Sequence, residues 1–262
     1  MKEISKKEMA VELLKAIETG ASEPIAYVNA ENYTQHNLTV GDGLAGFGAA
    51  LAGLAGFPEK ARVNTVRAFE DGDFVVLHTD YNFYGAKAGF DIFRFEDGKI
   101  VEHWDNLMAY DGKPNPSGHT PFDGTTEFTD IDKTAENKAI ARAFVEDVLM
   151  GKNPDKLTEY FNEGKYIQHN TAIADNLDGL GAALAAMAEQ GIKMEYFKIH
   201  AVFGHGNFVL VVSEGAFGGK PTSYYDLFRV EDGKLAEHWD VMETIADVNE
   251  WKHENGKFSG LK

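Results

Sequence analysis

The chain has 262 residues, 44% of them hydrophobic and 26% charged, with a formal net charge of −17 and no cysteine. Such a composition suits a globular protein long enough for two domains, excludes disulfides and thiolate chemistry, and argues against nucleic acid or an anionic membrane as a partner. The amino-terminal stretch mixes Lys and Glu among its apolar positions and no 18-residue apolar run occurs, so neither a signal peptide nor a membrane span is expected, and a cytoplasmic location is.

Ser5-Lys6-Lys7-Glu8 reads as a capping box, followed by a helical stripe of Met9, Leu13 and Ile17 and a stop at Gly20. Ser22 to Tyr27 reads as a short second helix, and Leu44, Phe47, Leu51 and Leu54 keep the period of a third. Phe74 to His78 has strand character. Asp91 to Phe95 and Ile100 to Leu107 flank Asp97-Gly98, the signature of a tight hairpin. A Pro- and Gly-rich stretch from about Asp111 to Asp132 follows; it is long for a loop and is expected to pack on a domain surface.

The same order then returns. Thr134 is the expected cap of a helix carrying Ile140, Phe144 and Val148 and ending at Gly151, and Asn153-Pro154 opens a short helix to Phe161. Leu177, Leu180, Leu184 and Met187 mark another helix, Phe208 to Val212 a strand, and Asp232-Gly233 a second hairpin turn. The repetition reaches individual residues. Tyr33-Thr34-Gln35-His36-Asn37 returns as Tyr166-Ile167-Gln168-His169-Asn170, an offset of 133. Asp91-Ile92-Phe93-Arg94, continuing to Glu102-His103-Trp104-Asp105, returns at an offset of 135 as Asp226-Leu227-Phe228-Arg229 to Glu237-His238-Trp239-Asp240. Helices followed by antiparallel hairpins describe an α+β domain, here in tandem copies with expected bounds 1–128 and 129–262.

These segments resemble the SnoaL-like branch of the NTF2-like superfamily, which also contains ketosteroid isomerase, scytalone dehydratase and limonene epoxide hydrolase. The resemblance implies two cystatin-like cones, each a curved antiparallel sheet around helices with an apolar pocket at its open end. It also implies pairing of the two copies within the chain as a pseudo-dimer, with further homo-oligomers open. SnoaL-like cyclases use an Asp as acid and base in an aldol closure, and the carboxylate of the closing strand, Asp105 or Asp240, is the nearest match.

Strand alternation puts His103 and Asp105 on one face, about 7 Å apart, with Glu102 and Trp104 on the other. Joined by His36 on the preceding segment, they form a candidate acid–base set, repeated as His169, His238 and Asp240. A carboxylate in an apolar pocket and a histidine titrating near neutrality suit proton transfer beside a carbonyl: isomerisation, aldol closure or loss of water. His78, replaced by Val212 in the second copy, adds a third histidine if it faces the cavity and would make the first half the better catalyst. Tyr33, Gln35 and Trp104, with Tyr166, Gln168 and Trp239, are candidate ligand contacts, the tyrosines as oxyanion donors.

The expected partner is a small apolar or carbonyl-containing molecule, with no cofactor. The histidine separations carry no short-range metal signature. Gly41-Asp42-Gly43-Leu44-Ala45-Gly46 matches a dinucleotide fingerprint in letters but lacks the βαβ context, and Asp42 and Asp175 fit helix starts better. Passive binding of a hydrophobic ligand, or an assembly role, is the alternative to catalysis. It would be favoured by a cavity below a few hundred Å³, or by His36 and Asp105 on opposite sides of the sheet.

Overall fold

The computed structural model describes residues 4–55 and 59–261, which form two compact units. The first comprises the described residues from 4 to 111 with 246–261, the second residues 112–245. Against the expected bounds, residues 112–128 pack with the second unit and 246–261 with the first.

In the first unit α1 (Lys6–Thr19) starts with the expected box: Ser5 Oγ accepts from Glu8 N–H at 3.1 Å and the Glu8 carboxylate accepts from Ser5 N–H at 2.8 Å. Gly20, at φ +71°, closes the helix in the left-handed region that a side chain disfavours. Next come a 3₁₀ turn (Glu23–Tyr27), β1 (Thr34–Gln35), α2 (Gly43–Ala55), β2 (Arg62–Asp71), β3 (Phe74–Asn82), β4 (Ala86–Glu96) and β5 (Lys99–Ala109). The sheet order is β1-β5-β4-β3-β2, antiparallel except for the parallel β1–β5 pair.

The second unit repeats the plan. Its elements are α3 (Thr134–Phe144), a 3₁₀ turn (Pro154–Tyr160), β6 (Ile167–Gln168), α4 (Asn176–Glu189), β7 (Met194–His205), β8 (Phe208–Phe217), β9 (Lys220–Glu231) and β10 (Lys234–Thr244), in the order β6-β10-β9-β8-β7. Thr134 does not cap α3; it is the first helical residue, and its hydroxyl accepts from Gly206 N–H while donating to Ile131 O. Both hairpin turns place Asp and Gly at positive φ, 49° and 76° at Asp97-Gly98 and 49° and 73° at Asp232-Gly233, as a two-residue turn matched to strand twist requires.

In each unit one sheet face packs on the helices. Leu13, Val75, Leu77, Phe93 and Phe95 form the core of the first, and Phe144, Val209, Val211, Phe228 and Val230 that of the second. Asp42 and Asp175 act structurally, their carboxylates accepting from the main-chain N–H of Gln35 and Gln168 at 2.9 Å. No described helix is long and apolar enough to cross a membrane.

A strap crosses the other face of each closing strand. In the first unit Trp104 Nε1 donates to Ser259 O at 2.9 Å, and His36 Nδ1 lies 2.6 Å from Gly256 O. In the second Trp239 Nε1 donates to Asp123 O at 3.0 Å, and His169 Nδ1 lies 2.9 Å from Thr120 O. Gly260 and Gly124, both at positive φ, end these contacts; a Cβ at either would strike the Glu102 or Glu237 carboxylate and the neighbouring indole.

Candidate functional site

Register fixes the site. Asp91 pairs with Asp105 and Phe93 with His103, so these four share the helix-facing side; Asp226, Asp240, Phe228 and His238 do the same in the second unit. Gln35 and Gln168, from the two-residue strands β1 and β6, reach the same side, each lying opposite its histidine.

One network links these groups in both units. The side-chain oxygen of Gln168 accepts the main-chain N–H of His169 and Asn170, both at 2.9 Å, and His238 Nδ1 lies 3.0 Å away. An atom already accepting two N–H groups is the amide oxygen, so Nδ1 must donate to it. His238 Nε2 then faces Asp226 Oδ1 at 3.0 Å, and Tyr196 donates its hydroxyl to the same carboxylate at 3.2 Å. The equivalents in the first unit are Gln35, His103 (3.0 Å on both sides), Asp91 and Tyr81, whose hydroxyl donates at 2.6 Å. Asn37 donates to Asp105 and Asn170 to Asp240, each at 2.7 Å.

The supporting tyrosine differs between units. Tyr81 on β3 stands opposite Val63, whereas Tyr196 on β7 stands opposite Gly215. A Cβ on Gly89 would meet the Tyr81 ring; in the second unit the pair is reversed, with Gly215 beneath the Tyr224 ring. Exchanging a ring and a hydrogen between neighbouring strands fills the same space, but Tyr224 donates to Ala216 O at 2.8 Å, and the hydroxyl on Asp226 comes from Tyr196, at the place of Val63.

In the second unit the network forms the polar end of a cavity of about 270 Å³. Tyr166, Gln168, Asn170, Asp226, His238 and Asp240 line that end, and Phe144, Ile173, Leu180, Met187 and Phe217 are among the apolar walls. Burial pushes the Asp240 carboxyl up, and repulsion from Asp226 adds to this against the opposing pull of His238 and Asn170. Burial works against charge on His238, yet the Asp226 hydrogen bond and the charges of Asp240 and Asp226 outweigh it, so the imidazole titrates above its ordinary range. Burial also pushes the Tyr166 hydroxyl up to about 12, leaving it a neutral donor at working pH.

A raised folded-state value means that His238 stabilises the fold below the unfolded histidine value of about 6.5, and that this contribution is lost as pH rises through the folded value. The thermal midpoint is therefore expected to fall between about pH 6 and pH 9, and the fall to be smaller in His238→Gln. Equal slopes in parallel melts of the two proteins would contradict it. The groups facing this ring are Asp226, Asp240 and Gln168.

Several expected site residues lie elsewhere. His36 and His169 turn to the strap side: His36 Nε2 is 2.9 Å from Glu102 and its ring stacks 4.7 Å from Trp104, while His169 is 2.8 Å from Glu237 and 4.6 Å from Trp239. Neither pair of rings can contact a ligand in the cavity, so Trp104 and Trp239 are not cavity contacts either. The reason is alternation: on a two-residue strand, Gln35 pointing inward sends His36 outward. His78 also faces away, paired and stacked with Phe90 at 4.4 Å, which removes the argument for the first half as the better catalyst. Asp91, Asp226, Asn37 and Asn170 were missed, although all recur in both copies and both aspartates share a face with the site histidine.

Two groups of donor atoms lie close enough for a metal ion among the described residues: Asp91, His103 and Asp105, and His119, Asp123 and His169. The first lies inside the network just described, where His103 bridges Gln35 and Asp91 and Tyr81 donates to Asp91.

A model of the SnoaL-like domain matches residues 10–103 and again residues 141–238. No curated protein matches the chain. Solved structures similar to it include TsrD from Streptomyces laurentii, 20% identical, with a TM-score of 0.36 over 40% of this chain and 91% of TsrD. A putative ketosteroid isomerase from Kribbella flavida is 13% identical, with a TM-score of 0.35 over 44% of this chain and 83% of that one. For a putative polyketide cyclase from Bacillus cereus the values are 21%, 0.35, 38% and 72%.

Proposed function

We propose, from the premise that this chain belongs to the SnoaL-like family in both of its halves, that its second unit is an acid–base catalyst for a small carbonyl compound. Asp240 is the proton carrier. The observation that carries the reading is a buried carboxyl with a raised pKa at the polar end of an apolar cavity, tethered by the Asn170 amide. A carboxylate made more basic by burial abstracts a proton beside a carbonyl more readily at neutral pH.

Tyr166 supplies the electrophilic partner. It receives a hydrogen bond from Gln168 Nε2 at 3.3 Å and has its own proton to give to the oxygen that gains charge in the enolate. His238 is a positioning residue, fixed at both nitrogens, whose positive charge beside the cavity offsets the negative charge developing there. The reaction class is enolisation followed by isomerisation, aldol closure or elimination, and a cavity of about 270 Å³, just below the usual 300–1,000 Å³ range, restricts the substrate to a small one.

The test is proton exchange in D₂O, followed by NMR, across small cyclic ketones and 1,3-dicarbonyl compounds. Stereospecific exchange above the buffer rate is expected for at least one class; a panel that binds without exchange would instead favour the rival reading, passive ligand binding. Two observations favour that rival: the cavity volume lies just below the usual ligand range, and His36 and Asp105 lie on opposite sides of the sheet, leaving no free imidazole in the first unit's network.

A further inference from the structure

We propose that the second unit carries a binding site for a zinc-like divalent ion, made by His119, Asp123 and His169 where the strap meets β6. The site lies on the face away from the cavity and does not depend on the proposed catalysis. One donor atom from each residue lies within 4.8 Å of the others. Tetrahedral zinc with bonds of about 2.0–2.1 Å needs donors about 3.3 Å apart, so the cluster's widest separation must contract by up to about 1.5 Å. His119 and Asp123 are partly exposed and have that freedom, while His169 is fixed by its stacking on Trp239.

The convergence of two ring nitrogens on one carboxylate, with further carboxylates behind the rings, is what makes the cluster a metal site. His119 Nε2 lies 3.2 Å from an Asp175 carboxylate oxygen, and His169 Nε2 lies 2.8 Å from Glu237, which Arg229 holds in turn at 2.7 Å. Each ring therefore directs an Nε2 proton at a carboxylate, and His169 Nδ1, which faces the Thr120 carbonyl, donates as well while no metal is bound. The two Nδ1 atoms are left facing the third ligand: His119 Nδ1 is 3.9 Å from one oxygen of Asp123, and His169 Nδ1 is 2.7 Å from the other. Carboxylates behind the ring nitrogens that do not bind metal are the usual outer shell of histidine metal sites, where they orient the ring and raise its basicity. Around His169 Nδ1 stand only acceptors, the Asp123 carboxylate and Thr120 O at 2.9 Å. A divalent ion bound there takes the place of the Nδ1 proton, and the Thr120 carbonyl or water can complete the coordination. Two imidazoles with one carboxylate select zinc, cobalt or nickel over magnesium or calcium.

The first unit is an internal control. His36 repeats the geometry of His169, with Glu102 behind Nε2 and Gly256 O before Nδ1. There the strap offers Asn255 and Ser259 at the places of His119 and Asp123, and Asn255 donates to Gln35 O instead. The same scaffold has all three ligands in one copy and only the histidine beside the closing strand in the other. An ion in the second copy would fasten the strap beside Gln168 and Asn170, the residues that hold His238 and Asp240.

The experiment titrates the tag-free, EDTA-treated full chain with zinc by calorimetry, and with cobalt by visible absorption. One zinc ion is expected to bind at micromolar concentration or tighter, with a tetrahedral cobalt spectrum, and zinc is expected to raise the melting temperature. The double variant His119→Asn/Asp123→Ser copies the first unit's strap and should lose more than about tenfold in affinity together with the zinc-dependent rise in melting. Should that variant misfold without metal, Asp123→Asn keeps the side chain's size and is expected to show the same loss. Absence of zinc binding by the parent chain, or undiminished binding by a folded variant, overturns the site.

Discussion

Asp240→Asn is expected to lower turnover by about 10²–10⁴-fold with the fold and ligand affinity retained. Asparagine matches aspartate in shape and its carbonyl oxygen can still accept from Asn170, but it cannot accept a substrate proton. Asp226 cannot take over, because His238 and Tyr196 already hold its carboxylate. The parallel variant Asp105→Asn separates the units. Asp105 has the Lys257 ammonium 3.9 Å from its side chain, and the same ammonium donates to its main-chain oxygen at 2.8 Å. The strap residue equivalent to Lys257 in the second unit is Pro121, which brings no charge. Most of the activity is expected to survive Asp105→Asn. Loss there, with Asp240→Asn fully active, would move the reaction to the first unit.

Ending the chain after residue 245 is expected to destabilise the first unit by on the order of 5 kcal/mol or more and to leave the second near its original midpoint. The missing strap supplies Ser259 O to Trp104, Gly256 O to His36 and the Asn255 amide to Gln35 O, besides the Lys257 ammonium on Asp105. Net hydrogen bonds contribute about 0.5–1.5 kcal/mol each, and leaving their buried partners unsatisfied costs more; re-exposing the fully buried Trp104 adds a hydrophobic loss. Calorimetry should then resolve two transitions, the lower one belonging to residues 4–111. A single unchanged transition would show that the strap contributes little.

What the sequence made legible followed local rules. The duplication, the capping box, the Asp-Gly turns and the sharing of one face by His103 and Asp105 all follow from periods and turn chemistry that act over a few residues. Asp91 lies in the very motif that identified the repeat, and reading its alternation with Phe93 would have placed it beside His103. The place of His36 is hidden because three consecutive polar residues read as one group, although a strand must divide them between its faces. The exchange of Tyr81 and Gly89 for Gly215 and Tyr224 was hidden for another reason: packing between neighbouring strands conserves the filled volume, not the residue that fills it. The straps were illegible too, since irregular chain takes its path from whichever surface accepts its carbonyls.

The membership of residues 246–261 in the first unit has a temporal consequence. Chains are made at about 5–20 residues per second and their domains generally fold in order of appearance. Here everything from residue 112 to 245 must be translated before the amino-terminal unit receives its final piece. The later-made unit can finish first, and a nascent chain meanwhile carries an uncovered indole at Trp104, a stretch for chaperones to shield.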